Sequence, residues 1–147
     1  MNIRYTVRVD PDVKVPLETF AFELAVYLAD PDGWAGKGYT FTEVKQNPKV
    51  TIRLSTPETI HRICKDGTLS CAELGGHRMY LNASRWMHGA PKSKLDLENY
   101  RQYVVSHEMG HILGHDHAKC PGRDQPAPIM MQQTLGIGQC KPNTQVL

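Results

Sequence analysis

The stretch from His107 to His117 constrains this chain most, because it contains His-Glu-x-x-His followed by a glycine and a third histidine. On an α-helix, residues four apart lie one turn apart on the same face, so His107 and His111 could hold one metal ion together. Gly114 suits the end of that helix, since glycine takes the left-handed conformation that lets the chain turn back. The spacing therefore predicts a third ligand at His117.

The residue types in this stretch predict a zinc site of the catalytic kind. Imidazole nitrogens suit zinc, and three protein ligands leave the fourth position of a tetrahedral site open. Glu108 points about 100° away from His107 on the helix, so it is placed to exchange protons and not to bind the ion. Zinc lowers the pKa of a bound water to about 7, and Glu108 would take up the released proton and pass it to a leaving amine. The chemistry predicted is hydrolysis of an amide.

Other interpretations of these histidines stay open. A histidine on an apolar helix face is usually a hydrogen-bonded core residue, and a structural or storage zinc site would explain the histidines but not Glu108. His115 is expected to be an exposed loop residue. Asp116 could support a ligand imidazole as a hydrogen-bond acceptor, or it could be a solvated turn carboxylate.

Four cysteines permit three pairings. The intervals from Cys64 to Cys71 and from Cys120 to Cys140 are both longer than the Cys-x-x-Cys knuckle of a structural zinc site. An even number of cysteines in separate loops favours two local disulfides and an oxidising compartment, whereas four free, buried thiols would suit the cytosol. We expect the two local disulfides and an extracytoplasmic location.

The length of 147 residues predicts a single domain, 1–147. A net charge of +2, with the basic residues scattered along the chain, argues against nucleic acid as a partner. No apolar run is long enough to span a membrane, and the residues after Met1 do not form a signal peptide, so any targeting segment would lie outside this sequence. We expect a monomer that does not insert into a membrane.

Hydrophobic periodicity predicts both strands and helices, hence an α+β fold. Alternating apolar residues predict strands at 3–9, 38–45, 50–54 and 77–82. Apolar faces predict helices at 17–28 and up to Gly114, and Pro57 opens a short helix that runs into Cys64. Ser93 with Asp96 resembles a capping box at the start of the ligand helix. Because Asn47-Pro48 separates strands 38–45 and 50–54, these strands could pair directly as neighbours.

The complete motif resembles that of the metzincins, zinc endopeptidases in which a methionine turn follows the three histidines. Pro128-Ile129-Met130-Met131 resembles this Met-turn, and the apolar residue before the methionine favours Met130 over Met131. In the clan this methionine lies beneath the zinc without binding it; the alternative is two core methionines. Ala118 and the lack of a tyrosine after the turn depart from several metzincin families, so the group that steadies the transition state is unassigned.

A longer match covers most of the chain, including all four cysteines. It is similar to a family of small bacterial extracytoplasmic metzincin-like proteins, and it includes Leu81-Asn82, Arg85-Trp86, His88-Gly89, Tyr100-Arg-Gln-Tyr-Val-Val, Cys120-Pro121-Gly122 and Pro126 to Thr134. That resemblance implies that the full-length protein is secreted or membrane-tethered. Arg85, Trp86 and His88 could line the cleft or could anchor a loop.

The resemblance also implies an architecture. It is a twisted mixed sheet of four to five strands, packed on one side by two main helices, with a small irregular C-terminal subdomain. The strand near 78–82 would be the edge beside the cleft, where an extended peptide could add as a further strand. The upper part, 1–114, would include the ligand helix, and the lower part, 115–147, would carry His117 and the Met-turn, braced by a Cys120–Cys140 disulfide.

We therefore expect a zinc-dependent endopeptidase that acts on a protein or peptide substrate. His107, His111 and His117 would bind Zn²⁺, and Glu108 would serve as general base and then as general acid. The alternative, from another functional class, is a non-catalytic zinc-binding module that captures peptide or cell-envelope ligands. A third possibility is zinc-dependent hydrolysis of a non-protein amide, such as a wall-peptide crosslink.

Overall fold

A computed structural model describes residues 1–147 and has the α+β architecture predicted from the sequence. The elements follow one another as β1 (Asn2–Val9), α1 (Leu17–Ala29), β2 (Thr40–Glu43), β3 (Val50–Ser55), α2 (Pro57–Cys64), β4 (Cys71–Ala72), β5 (Arg78–Asn82), α3 (Ala83–His88) and α4 (Leu97–Ile112). Short 3₁₀ turns occur at Trp34–Lys37, Pro91–Ser93 and Gln133–Leu135. No helix is both long enough and apolar enough to cross a membrane.

The five strands form one mixed sheet in the order β2-β1-β3-β5-β4. The prediction that β2 and β3 pair directly is wrong, because β1 lies between them and is parallel to both. β2 pairs with the first half of β1, from Asn2 to Tyr5, and β3 pairs with the second half, from Tyr5 to Val9. The short link between β2 and β3 therefore has to cross over β1.

The prediction that strand 78–82 forms the sheet edge is also wrong. The two-residue strand β4 pairs antiparallel with β5, so Cys71 faces Tyr80 and Ala72 faces Met79. β4 is held in this position by a disulfide between Cys71 and Cys64, the last residue of α2. The outer edge of the sheet is therefore β4, and β5 is an inner strand.

The main core lies between one face of the sheet and the helices α1, α3 and α4. Phe20, Leu24 and Leu28 are buried on one side of α1, as its periodicity predicts. Trp86 of α3 is buried and packs edge-on against Phe20, with ring centroids 5.0 Å apart. Helix α4 is buried on all sides from Gln102 to Ile112, so it is the central helix of the domain. A central helix is a rigid support for ligands at its end.

Helix α4 begins later than the capping-box prediction places it. Its N-cap is Asp96, whose carboxylate accepts a hydrogen bond from the Asn99 backbone N–H at 2.9 Å. Ser93 is buried in the preceding 3₁₀ turn, where its hydroxyl donates to the Ala90 carbonyl at 2.6 Å. Lys94 then takes a positive φ of 63°, which interrupts any helix running on from Ser93.

Helix α3 lies in a stretch for which the sequence predicted neither a helix nor a strand. Asn82 caps it, because its side-chain oxygen accepts from the backbone N–H groups of Ser84 and Arg85. Arg85 donates from Nε to the Thr68 carbonyl at 3.0 Å, and the Asn82 amide donates to the Gly67 carbonyl at 2.8 Å. Of the two possibilities for Arg85, the structure favours anchoring of the 65–70 loop.

The chain after Gly114 forms a small irregular region around a second disulfide, between Cys120 and Cys140. Ala127, Ile137 and Cys140 make a separate small cluster there. Two disulfides in one chain are typical of an extracytoplasmic environment.

Candidate metal centre

Three histidines meet at the end of the central helix. His107 and His111 lie on the last two turns of α4, and His117 returns to them from the loop that follows. One ring nitrogen from each lies within 4.8 Å of the others, and the Nε2 atoms of His111 and His117 are 3.1 Å apart. The two helical histidines are buried and His117 is exposed. The triad could hold one metal ion.

The backbone fixes which nitrogen each helical histidine offers. Nδ1 of His107 donates to the Ile129 carbonyl at 2.8 Å, and Nδ1 of His111 donates to the His115 carbonyl at 2.8 Å. A carbonyl oxygen can only accept, so each Nδ1 carries the proton of its neutral ring. Both Nε2 atoms are therefore unprotonated, and each has a free lone pair with which it can bind a metal ion.

Burial keeps these imidazoles neutral. Desolvation lowers the pKa of His107 to about 3, and the neighbouring His111 and His117 add to that effect. Desolvation also lowers the pKa of His111, with a smaller contribution from His117. The bare Nε2 of His111 faces a second ring nitrogen, an arrangement that requires a proton or a cation between the two atoms.

Glu108 lies in the same cavity as the three histidines, in a space of about 240 Å³. Its side chain is only 4% exposed, and Oε1 has no hydrogen-bond partner. Burial raises the pKa of this carboxyl to about 8. Burying a carboxyl oxygen without a hydrogen-bond partner costs free energy. Such an oxygen is therefore expected to bind a water molecule or a group of the substrate. Three imidazoles with a free carboxyl beside them fit zinc in an open site.

The turn after α4 delivers His117. Gly114 takes a φ of 98°, a conformation that residues with a side chain rarely adopt. Asp116 then accepts a hydrogen bond from the His117 backbone N–H at 2.7 Å, so its carboxylate supports the loop and makes no hydrogen bond to an imidazole. His115 is exposed, as expected, yet its ring stacks on Trp34 with centroids 4.9 Å apart.

Met130 packs directly against the ligand helix. A Cβ added to Gly110, between the two helical histidines, would overlap Met130 Sδ and would lie 3.1 Å from a ring carbon of Trp34. Met131 instead packs against the small cluster near Cys120. Of the two methionines, Met130 is therefore the one that packs against α4.

Several residues of the cleft were not singled out from the sequence. The cavity is also lined by Tyr103, Val104, Gln132, Thr134, Leu74 and residues between Cys64 and Ala72. Tyr103 precedes His107 by four residues, and this helical spacing is a signal that could have located it. The other lining residues come from parts of the chain that are distant in sequence. One backbone hydrogen bond, from the Gly75 N–H to the His111 carbonyl at 2.7 Å, holds the β4–β5 turn over the end of α4.

Comparison with solved structures defines the class of fold. Archaemetzincin from Archaeoglobus fulgidus, complexed with malonate, matches 95% of this chain and 96% of its own, with 17% identity and a TM-score of 0.51. Myroilysin has 17% identity and a TM-score of 0.49, and 85% of this chain matches 46% of that chain, so this chain spans about half of its length. At such identities the likeness shows the fold alone, which is metzincin-like.

The sequence itself gives the family. The chain belongs to the family described as "Protein of unknown function (DUF3152)", whose family model matches residues 1–144. No curated protein matches the sequence.

Proposed function

We propose that this protein is a zinc-dependent endopeptidase. His107, His111 and His117 would hold the ion, and Glu108 would be the general base and general acid. The observation that carries the proposal is the buried, unpartnered oxygen of Glu108 in the cavity of the histidine triad. A structural or storage site needs the three imidazoles but has no use for a carboxyl kept free beside them.

The Glu108 carboxyl would handle the proton in this reaction. When bound, zinc supplies Lewis acidity, which makes a water more acidic and a substrate carbonyl more electrophilic. Beside a cation the carboxyl loses the proton that burial otherwise retains at a pKa of about 8, because an opposite charge favours its ionised form. Glu108 would then take a proton from the attacking water and return it to the departing amine nitrogen.

A protein or peptide is the substrate class that fits the cleft. The edge strand β4 forms one wall of the cavity, through Cys71 and Ala72, so an extended peptide could pair with it beside the triad. We propose one domain, 1–147, in which 1–114 is the upper part and 115–147 the lower part with Met130 as the Met-turn residue. The disulfides support secretion or membrane tethering, and we propose that the domain acts as a monomer without nucleic acid.

Cleavage of a broad peptide mixture, followed by mass spectrometry of the products, tests the proposal. We expect a chelator to stop cleavage and zinc to restore it. Glu108→Gln should keep one zinc per chain and lose at least about 100-fold in rate, which is the usual contribution of a general base. Glu98→Gln, at the exposed start of the same helix, is the matched control and should cut like the parent. Equal rates for Glu108→Gln and the parent would contradict the assignment.

A non-catalytic zinc-binding module for peptide or cell-envelope ligands is the second candidate. The triad itself favours it, because three ring nitrogens within 4.8 Å of one another are enough to hold an ion without any role for Glu108. It would be supported by one zinc per chain together with no product from any peptide. Products cut only from a wall-peptide crosslink would instead indicate the third possibility, a non-protein amide as substrate.

A further inference from the structure

One hydroxyl group joins the ligand helix to the segment after Met130. Tyr103 lies one turn before His107 on α4, and its side chain is only 1% exposed. Its hydroxyl donates to the Met131 carbonyl at 2.8 Å and accepts from the Gln133 backbone N–H at 2.9 Å.

The segment held by Tyr103 is the one that orients a metal ligand. The Met131 backbone N–H donates to the Pro128 carbonyl at 2.9 Å, which closes a tight turn over residues 128–131. Inside this turn the Ile129 carbonyl accepts the Nδ1 proton of His107 at 2.8 Å. The Tyr103 ring also lies against the imidazole of His107, with centroids 5.3 Å apart.

We propose that Tyr103 is a positioning residue for the metal site. Its hydroxyl holds the 128–131 turn at the distance from α4 at which the Ile129 carbonyl fixes the ring orientation and tautomer of His107. Without the hydroxyl, the Met131 carbonyl and the Gln133 N–H keep only their 2.8 Å hydrogen bond to each other. The segment then loses its backbone link to α4 beside His107, and the Ile129 carbonyl shifts with it. The inference rests on the proposed metal ligation by His107 and does not depend on peptidase activity.

The nearest tyrosine offers a matched control. Tyr100 lies on the same helix, is also buried, and shares a hydrogen bond of 2.9 Å with the Thr134 side chain. That bond reaches a side-chain hydroxyl and leaves the backbone of the 128–131 turn untouched. Tyr100→Phe therefore removes a comparable buried hydroxyl without touching the backbone turn that contacts His107.

The test is the zinc dissociation constant of Tyr103→Phe, measured by competition with a chromogenic chelator at a temperature where all variants are folded. Loss of the partners that orient metal ligands typically weakens binding by 10- to 100-fold, and Tyr103 acts one step further away, so we expect about 10-fold. Tyr100→Phe should bind zinc as the parent does, while both variants unfold at a lower temperature. The visible spectrum of bound cobalt(II) should change in Tyr103→Phe alone.

Two results would overturn the inference. One is an unchanged zinc dissociation constant in Tyr103→Phe. The other is an equal loss in both variants, because a hydroxyl that only stabilises the fold would have the same effect at either position. Failure of the proposed peptidase is separate, since it would appear as zinc binding without cleavage in the parent.

Discussion

In the metal-free protein, Glu108→Gln should stabilise the fold at pH 8 much more than at pH 5. The carboxyl has no partner for Oε1, and burial raises its pKa from 4.5 to about 8. A group whose pKa is higher in the folded state contributes stability that is complete below its unfolded pKa and is lost as pH rises through the folded pKa. The parent therefore loses stability between about pH 4.5 and pH 8, whereas a glutamine does not titrate.

The size of the effect follows from the shift in pKa. Each pKa unit corresponds to about 1.4 kcal/mol, so the carboxyl costs the parent about 1 kcal/mol at pH 5 and about 4 kcal/mol at pH 8. The difference in free energy of unfolding between Glu108→Gln and the parent should thus grow by about 3 kcal/mol over this interval. Any effect of the glutamine amide that does not depend on pH is the same at pH 5 and pH 8, so it cancels from this change.

Urea unfolding in excess chelator at the two pH values measures this difference. With a slope of about 2 kcal/mol per molar urea, the midpoints of the two proteins should separate by a further 1.5 M or so at pH 8. Glu43→Gln, at an exposed position on β2, is the control and should keep a constant offset from the parent. A constant offset for Glu108→Gln as well would mean that the carboxyl is solvated, and it would refute the reasoning.

Two further predictions concern the surroundings of the triad. Gly110→Ala should lower the free energy of unfolding by about 1–3 kcal/mol in a urea titration, because the added Cβ overlaps Met130 Sδ; an unchanged midpoint would show that Met130 does not pack there. His115→Ala should weaken zinc binding by about 2- to 12-fold, since it removes a ring stack worth about 0.5–1.5 kcal/mol. His115→Phe keeps a ring on Trp34 and should bind zinc like the parent; a loss in this variant too would mean that the imidazole nitrogens are required.

The triad could be anticipated because its requirements are local. The four-residue spacing of His107 and His111 and the left-handed turn at Gly114 both follow from the geometry of one helix and its end. The amphipathic pattern of α1 and the alternation in β1 likewise depend only on neighbouring residues and the face that they bury.

The order of the strands could not be predicted in the same way. Direct pairing of β2 with β3 is the natural expectation for two strands joined by a short link, but β1 occupies the place between them. Which strand lies between β2 and β3 depends on how α1 packs against the sheet. Such packing joins parts of the chain that are distant in sequence. The sheet edge was misplaced for a related reason, because β4 has only two residues and carries no periodic signal.

The residues that surround the triad also depend on long-range contacts. Tyr103 meets the Met131 carbonyl, 28 residues further along the chain, and Asn82 meets the Gly67 carbonyl, 15 residues before it. Nothing in the local sequence of either residue indicates its partner. For Arg85 and Trp86 the sequence left open whether they line the cleft or anchor a loop, and in the fold Arg85 holds a loop while Trp86 fills the core.

The hydrogen bond from His107 to Ile129 limits how far this motif can be transplanted. All three histidines lie within one short stretch, but the carbonyl that sets the tautomer of His107 comes from 22 residues away. A graft of residues 107–117 onto another helix would move the three imidazoles and leave that carbonyl behind. The first ring would then be free to flip and offer either nitrogen. A search for this chemistry in other chains should therefore require both the motif and a backbone acceptor facing its first histidine.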